Sequence, residues 1–237
     1  MLEAEVTKRF ESKPVLLKID LACIGHGFDL AMKQLPVTSY QLPASDQRST
    51  INNQRRAFDG NELVALSAVH HGVRAYYAYP MSPSTTILTR LAAWAKDTGM
   101  IVKQAEDEIS VVQMAIGSMY AGTRVLCATS GGGFDLMVES ISLAGMIENP
   151  LVIVNVQRPG PATGLPTWTS QGDLHMAIHS GHGEFSRLVL SLSDHESIFD
   201  LVGEALNFAE EFQIPVIILS EKAIAEAKMV VSTDSLR

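Results

Sequence analysis

Three consecutive acids, Glu106, Asp107 and Glu108, stand before an otherwise apolar run in QAEDEISVVQMAIG. Carboxylates in that position have two uses. They can cap the free N–H groups at the positive end of a helix, or one can be held back from solvent to exchange a proton. Spacing alone leaves both open. HMAIHSGH sets His175, His179 and His182 four and three residues apart, a pattern that can place imidazoles on one helix face. A glycine stops the helix before His182 and no acid separates the first two. Surface or capping histidines are therefore the first reading, and no metal site is assigned. His70–His71 reads as a helix end. The loop ATSGGGFD (128–135) is neither GxGxxG nor GxxxxGK[ST], so its glycines read as a tight strand-to-helix turn before they read as a phosphate cradle. Two side chains complete the set. Ser82 is held between prolines in YPMSPS and suits the N-cap of the next helix, which does not exclude ligand contact. Arg158 ends the strand LVIVNVQ, where its guanidinium suits bidentate capture of a carboxylate.

The elements that must position these residues alternate regularly. Residues 61–72 read as helix, 74–79 as strand and 82–99 as a helix with a serine cap and a terminal glycine. IVKQA is a short strand, and Ile109, Val112, Ile116 and Met119 form one helical stripe. RVLCATS, LVIVNVQ, RLVLSL and PVIILS follow as strands. GFDLMVESISLAGMIE, QGDLHMAIHSG and HESIFDLVGEALNFAEEF are the helices that separate them. Short apolar strands between helices, with no hairpin signal, predict a doubly wound α/β fold: a parallel sheet with helices on both faces. Ligands of such sheets sit at the C-terminal strand ends, here YPMSPS, QAEDE, ATSGGGFD and VQRPGPATGLPT. Residues 1–56 read as an N-terminal extension and polar linker, 57–225 as the domain and 226–237 as a C-terminal tail.

Composition narrows the function classes. With 237 residues, 46% hydrophobic and 19% charged, the chain is an ordinary globular domain with an appendage. A net charge of −8 with no basic stripe speaks against nucleic acid or an anionic membrane as partner. The N-terminal MLEAEVTKRF has no signal-peptide core and no apolar run has membrane length, so a cytoplasmic protein is expected. The two cysteines, Cys23 and Cys127, are too few for an iron–sulfur or zinc site in this chain.

GNELVALSAVHHGVRAYYAYPMSPST, EDEISVVQMAIGSMYAGTRVLCATSGGGFDLMVESISLAGM and VIVNVQRPGPATGLPT resemble the alpha subunit of the 2-oxoacid:ferredoxin oxidoreductases. The resemblance covers about residues 58–225 and falls on the pyrimidine-binding domain of thiamine diphosphate enzymes. In that superfamily the catalytic glutamate stands nine residues before a helical glycine, and Glu108 stands nine before Gly117. The resemblance thus implies that Glu108 contacts N1′ of the aminopyrimidine, while Asp107 caps the helix and Glu106 is solvated or faces an interface. It implies Ser82 and Pro83 beside the cofactor, Ser82 and Arg158 on the 2-oxoacid, and Thr163 and Gly164 lining the pocket. Met81-Ser82, Gly132 and Trp168 depart from the family's usual Ile-Thr, proline and lysine.

No GDG-x-n-N motif for magnesium and diphosphate occurs in the sequence. The resemblance therefore implies a beta subunit that holds the diphosphate and Mg2+, with thiamine diphosphate shared between the two. It also implies iron–sulfur clusters on partner subunits, ferredoxin and coenzyme A as co-substrates, and gamma and delta subunits as further candidates in an oligomer. The family's alpha subunit continues beyond the last strand, so the chain is expected to be a truncated piece or a compact variant, inactive alone. The expected reaction is oxidative decarboxylation of a 2-oxoacid, 2-oxoglutarate by the look of VQRPGPATGLPT, to acyl-CoA. The competing readings are the pyrimidine-binding subunit of a split non-oxidative 2-oxoacid decarboxylase and a non-catalytic binding module.

Overall fold

The computed structural model describes residues 50–52 and 55–236; the apolar pieces before residue 40 lie outside them. Strands β1 (Thr50–Asn52) and β2 (Arg55–Asp59) lead into α1 (Gly60–His70), β3 (Ala75–Ala78), α2 (Thr85–Thr98), β4 (Ile101–Gln104) and α3 (Glu108–Tyr120). Next come β5 (Val125–Thr129), α4 (Gly131–Met146), β6 (Leu151–Gln157), α5 (Leu174–His179) and β7 (Leu188–Ser191). The chain continues through α6 (His195–Phe212), β8 (Pro215–Glu221), α7 (Lys222–Glu226), β9 (Lys228–Ser232) and a 3-10 turn at Thr233–Ser235. Among the described residues no helix is long and apolar enough to cross a membrane.

The doubly wound reading holds. Six strands lie in the order β4-β3-β5-β6-β8-β7, with every neighbouring pair parallel. Strand alternation divides their side chains between two cores. Tyr76, Leu126, Ala128, Val152, Val154, Val216 and Ile218 meet α1, α2 and α6 on one face. Tyr77, Val125, Cys127, Leu151, Ile153, Ile217 and Leu219 meet α3, α4 and α5 on the other. Burial on both faces is why LVIVNVQ and PVIILS read as unbroken apolar runs. From β3 the chain runs to β4 on one side and then back to β5 on the other. Ligands of open α/β sheets bind at such a reversal, here the C-terminal ends of β3 and β5.

Several elements differ from the sequence reading. The stretch read as linker to residue 56 contains β1 and part of β2, and residues 228–232 of the expected tail pair antiparallel with residues 55–59. Arg56 makes this possible, because its buried guanidinium reaches Glu62 at 3.4 Å and lies over the Phe58 ring. Ser82 does not cap α2: the N-cap is Ser84, whose hydroxyl donates to the Met81 carbonyl at 2.7 Å and accepts from no helix N–H. Proline at 83 is the reason, since it pushes the preceding residue away from helical backbone and delays the helix. In α3 the buried stripe is Val111, Val112, Ala115, Ile116 and Met119, while Ile109 is 47% exposed. The three glycines of residues 131–133 form the first turn of α4 rather than a loop.

Candidate active site

Glu108 opens α3, and Asp107 caps it by accepting from the Ser110 N–H at 2.6 Å. That bond and the Ser110 side chain hold the Asp107 carboxyl below its usual range. The cap sends the next carboxylate inward. Glu108 is 3% exposed, whereas Glu106 is exposed. Burial, and then the neighbouring Asp107 charge, push the Glu108 carboxyl upward, against its own backbone N–H and the Arg158 guanidinium, which pull it down. Its Oε1 makes no hydrogen bond.

The glycine turn of α4 makes room for this carboxylate. A Cβ on Gly133 would stand 2.1 Å from Thr129 Oγ1 and 2.6 Å from Glu108 Oε1. Only a residue without a side chain lets the two helices and the end of β5 close around Glu108.

Arg158 follows β6 and is 7% exposed. Its Nη1 donates to the Ser82 carbonyl at 2.7 Å, tying the end of β6 to the turn after β3. That turn is fixed from the other side by Asn61, a residue the sequence reading did not single out. The Asn61 amide donates to the Pro83 carbonyl at 2.8 Å and to Thr86 Oγ1 at 2.6 Å. Its partners lie more than twenty residues away in sequence, so no local pattern points to it. Pro83 is buried beneath this bond and Ser82 is exposed at the rim.

Thr163 and Gly164 belong to the loop that leaves Arg158. Gly164 has φ of +60°, and a Cβ there would stand 1.7 Å from the Pro159 carbonyl oxygen, which accepts from the Leu165 N–H at 3.0 Å. The loop therefore folds back on itself only with glycine at 164. It crosses the first turn of α4, where a Cβ on Gly132 would meet the Ala162 carbonyl at 3.2 Å. Thr163 is exposed on it. The geometry thus brings Ser82, Pro83, Glu108, Arg158, Thr163 and Gly164 to one end of the sheet. His175, His179 and His182 are not part of it. All three are exposed, and the first two stack with ring centroids 6.0 Å apart.

Four buried side-chain atoms at this edge make no hydrogen bond: Glu108 Oε1, Ser130 Oγ, Asn155 Oδ1 and Arg158 Nε. Leaving such groups unsatisfied costs roughly 1–3 kcal/mol each, and native interiors seldom tolerate it. A raised carboxyl beside a guanidinium can exchange a proton with a ring nitrogen while the cation receives an anion.

Comparison with known proteins shows the family. The family model described as pyruvate flavodoxin/ferredoxin oxidoreductase, thiamine diphosphate-binding, matches residues 67–235. The chain is 41% identical over 199 residues to a 2-oxoacid:ferredoxin oxidoreductase alpha subunit of Sulfurisphaera tokodaii, covering 78% of this chain and 32% of that one. It is 40% identical over 169 residues to the 2-oxoglutarate synthase subunit KorA of Methanothermobacter marburgensis, covering 71% and 45%. Among solved structures, the 2-oxoglutarate:ferredoxin oxidoreductase from Magnetococcus marinus, with 2-oxoglutarate, coenzyme A and succinyl-CoA bound, matches with a TM-score of 0.73 and 35% identity. That match covers 97% of this chain and 40% of the other. The chain spans about a third to just under half of the length of these relatives.

Proposed function

Because the chain belongs to the thiamine diphosphate-binding pyruvate flavodoxin/ferredoxin oxidoreductase family, we propose that it forms the pyrimidine-binding part of an alpha subunit of a 2-oxoacid:ferredoxin oxidoreductase. The observation that carries this reading is Glu108. Its Oε1 is buried, unpartnered and raised in pKa, as a group waiting for the ring nitrogen of an aminopyrimidine would be. When bound, thiamine diphosphate supplies the thiazolium carbon that adds to the oxoacid carbonyl and takes up the electrons left by carbon dioxide.

This chain's residues serve that chemistry in separable ways. Glu108 Oε1 holds and exchanges a proton with N1′ of the aminopyrimidine. A partly desolvated carboxyl suits this, because its pKa moves toward neutral pH. Ser82 and Pro83 present the turn that packs beside the ring, and Asn61 holds that turn in place. Arg158 binds the oxoacid carboxylate through its free Nε, while Nη1 stays on the Ser82 carbonyl. The 159–172 loop, with Thr163 and Gly164, closes the pocket against water.

A beta subunit completes the site with the diphosphate and Mg2+, and partner subunits carry the iron–sulfur clusters that pass electrons to ferredoxin. In support, the sequence holds no GDG-x-n-N motif. Large apolar side chains also stand uncovered on the helices around Glu108: Ile109 and Tyr120 on α3, Leu136 and Met146 on α4. Such side chains give a partner subunit apolar surface to cover. The substrate in this reading is 2-oxoglutarate, converted with coenzyme A to succinyl-CoA, as the relatives' names suggest. The complex works in the cytoplasm, where its soluble co-substrates are. Co-purification with a beta subunit and assay of 2-oxoglutarate-dependent dye reduction tests the reading. A stable complex with no 2-oxoacid-dependent reduction overturns it.

A further inference from the structure

Asp173 stands at the N-cap position of α5, yet its side chain makes no bond to that helix. The carboxylate goes to the sheet instead. Oδ2 accepts from Asn155 Nδ2 at 3.0 Å, and the Asp173 N–H donates to Gln157 Oε1 at 2.9 Å. Asn155 and Gln157 are themselves buried at the end of β6, and Gln157 also donates to the Ser220 carbonyl at 3.0 Å. The acid rests against the first turn of α4, where a Cβ on Gly131 would stand 2.9 Å from Oδ2.

This arrangement fixes the far end of the loop that begins at Arg158. The near end is held by the Arg158 bond to Ser82, and the middle by the Thr169 hydroxyl donating to the buried Glu221 carboxylate. We propose that Asp173 is a positioning residue of the oxoacid pocket: it clamps the 158–172 loop, with Arg158, Thr163 and Gly164, onto the first turn of α4. The pocket part of this inference rests on the function proposed above. The clamp by the side chain rests on the Asn155 bond, since the bond to Gln157 comes from the Asp173 backbone N–H and survives substitution. Asp173 touches neither cofactor nor substrate in this account and acts only through the loop.

The test compares Asp173→Ala and Asp173→Asn in the reconstituted complex, reading amide hydrogen exchange and steady-state kinetics together. With alanine, the Leu165 and Trp168 amides, which donate within the loop, exchange faster. KM for 2-oxoglutarate then rises about tenfold while kcat stays within about twofold, the signature of lost ground-state positioning. Asparagine can still accept from Asn155, so it restores most of the protection and most of the affinity. Should the alanine variant fail to fold, Asp173→Ser, whose shorter side chain can cap α5 but loses the Asn155 bond, gives the same pattern. Unchanged exchange across 158–172 overturns the clamp, whatever the complex catalyses. Faster exchange with an unchanged KM overturns the link to the pocket. A wild-type complex that turns over no 2-oxoacid overturns the functional reading and leaves the clamp to be judged by exchange alone.

Discussion

Gly133 and Glu108 are in contact across two helices: a Cβ on the glycine would stand 2.6 Å from Oε1 of the carboxylate. The first turn of α4 thus packs directly against the Glu108 carboxylate. A Gly133→Ala substitution must move either Glu108 or Thr129, whose Oγ1 would lie 2.1 Å from the added carbon. Overpacking of this kind costs about 1–3 kcal/mol. The variant should melt several degrees lower and lose most thiamine diphosphate affinity in the reconstituted complex. Calorimetric titration of the complex with cofactor and Mg2+ measures it, and wild-type affinity would show that Gly133 does not shape the pocket.

Glu108 should also carry a stability cost in the chain alone. Its folded pKa is raised, so above the unfolded carboxylate value the folded state binds more protons than the unfolded state. Stability therefore falls as pH rises from about 4.3, the unperturbed glutamate value, through the folded pKa, and the full cost is present above the folded pKa. Glu108→Gln removes the charge and should raise Tm at pH 7.5, with the gain shrinking in acid. A variant that melts below wild type at pH 7.5 would contradict the raised pKa.

Arg158→Ala should raise KM for the oxoacid far more than it alters cofactor affinity. Loss of a charge-assisted bond is worth about 1.5–3 kcal/mol, roughly a 10- to 100-fold change. Because Nη1 also holds the Ser82 carbonyl, a smaller part of the effect should come from a loosened turn after β3. Arg158→Lys should recover little, since an ammonium cannot bond the carbonyl and the acid with a guanidinium's geometry. An unchanged KM with failed cofactor binding would reverse the assignment.

Cys127 should be inert. It lies fully buried in β5, and burial pushes its thiol up to about 12. A Cys23→Ser variant should show no fast-reacting thiol at pH 8 until denaturant is added. Rapid labelling of the native variant would mean that β5 is not in the centre of a packed sheet.

The sheet was legible because its central strands are apolar on both faces, and the Asp107 cap was legible because capping is local chemistry. Ser82 misled because a serine before a helix reads as a cap, while the proline after it moves the helix start to Thr85. Ile109 misled because four apolar positions at helical spacing fit more than one stripe, and only the neighbouring sheet decides which face is covered. Asn61 on Pro83, Gln157 on Asp173 and Thr169 on Glu221 could not be read at all. Each joins segments brought together only by the strand order. The site's ends were visible in the sequence; the bonds that hold them were not.

Exchange of the cofactor C2 proton for deuterium, followed by NMR in the reconstituted complex, tests the central claim most directly. Glu108→Gln keeps the size and a hydrogen bond but cannot pass a proton, so exchange should slow by roughly 10²–10⁴. Asp107→Asn should exchange at close to the wild-type rate, because asparagine caps helices as well as aspartate does. Glu106→Gln should do the same, its side chain being exposed. Slow exchange in the Glu108 variant alone is the predicted result. Normal exchange in that variant, with loss in the Glu106 variant, would contradict the account and move the proton-transfer role to the other acid.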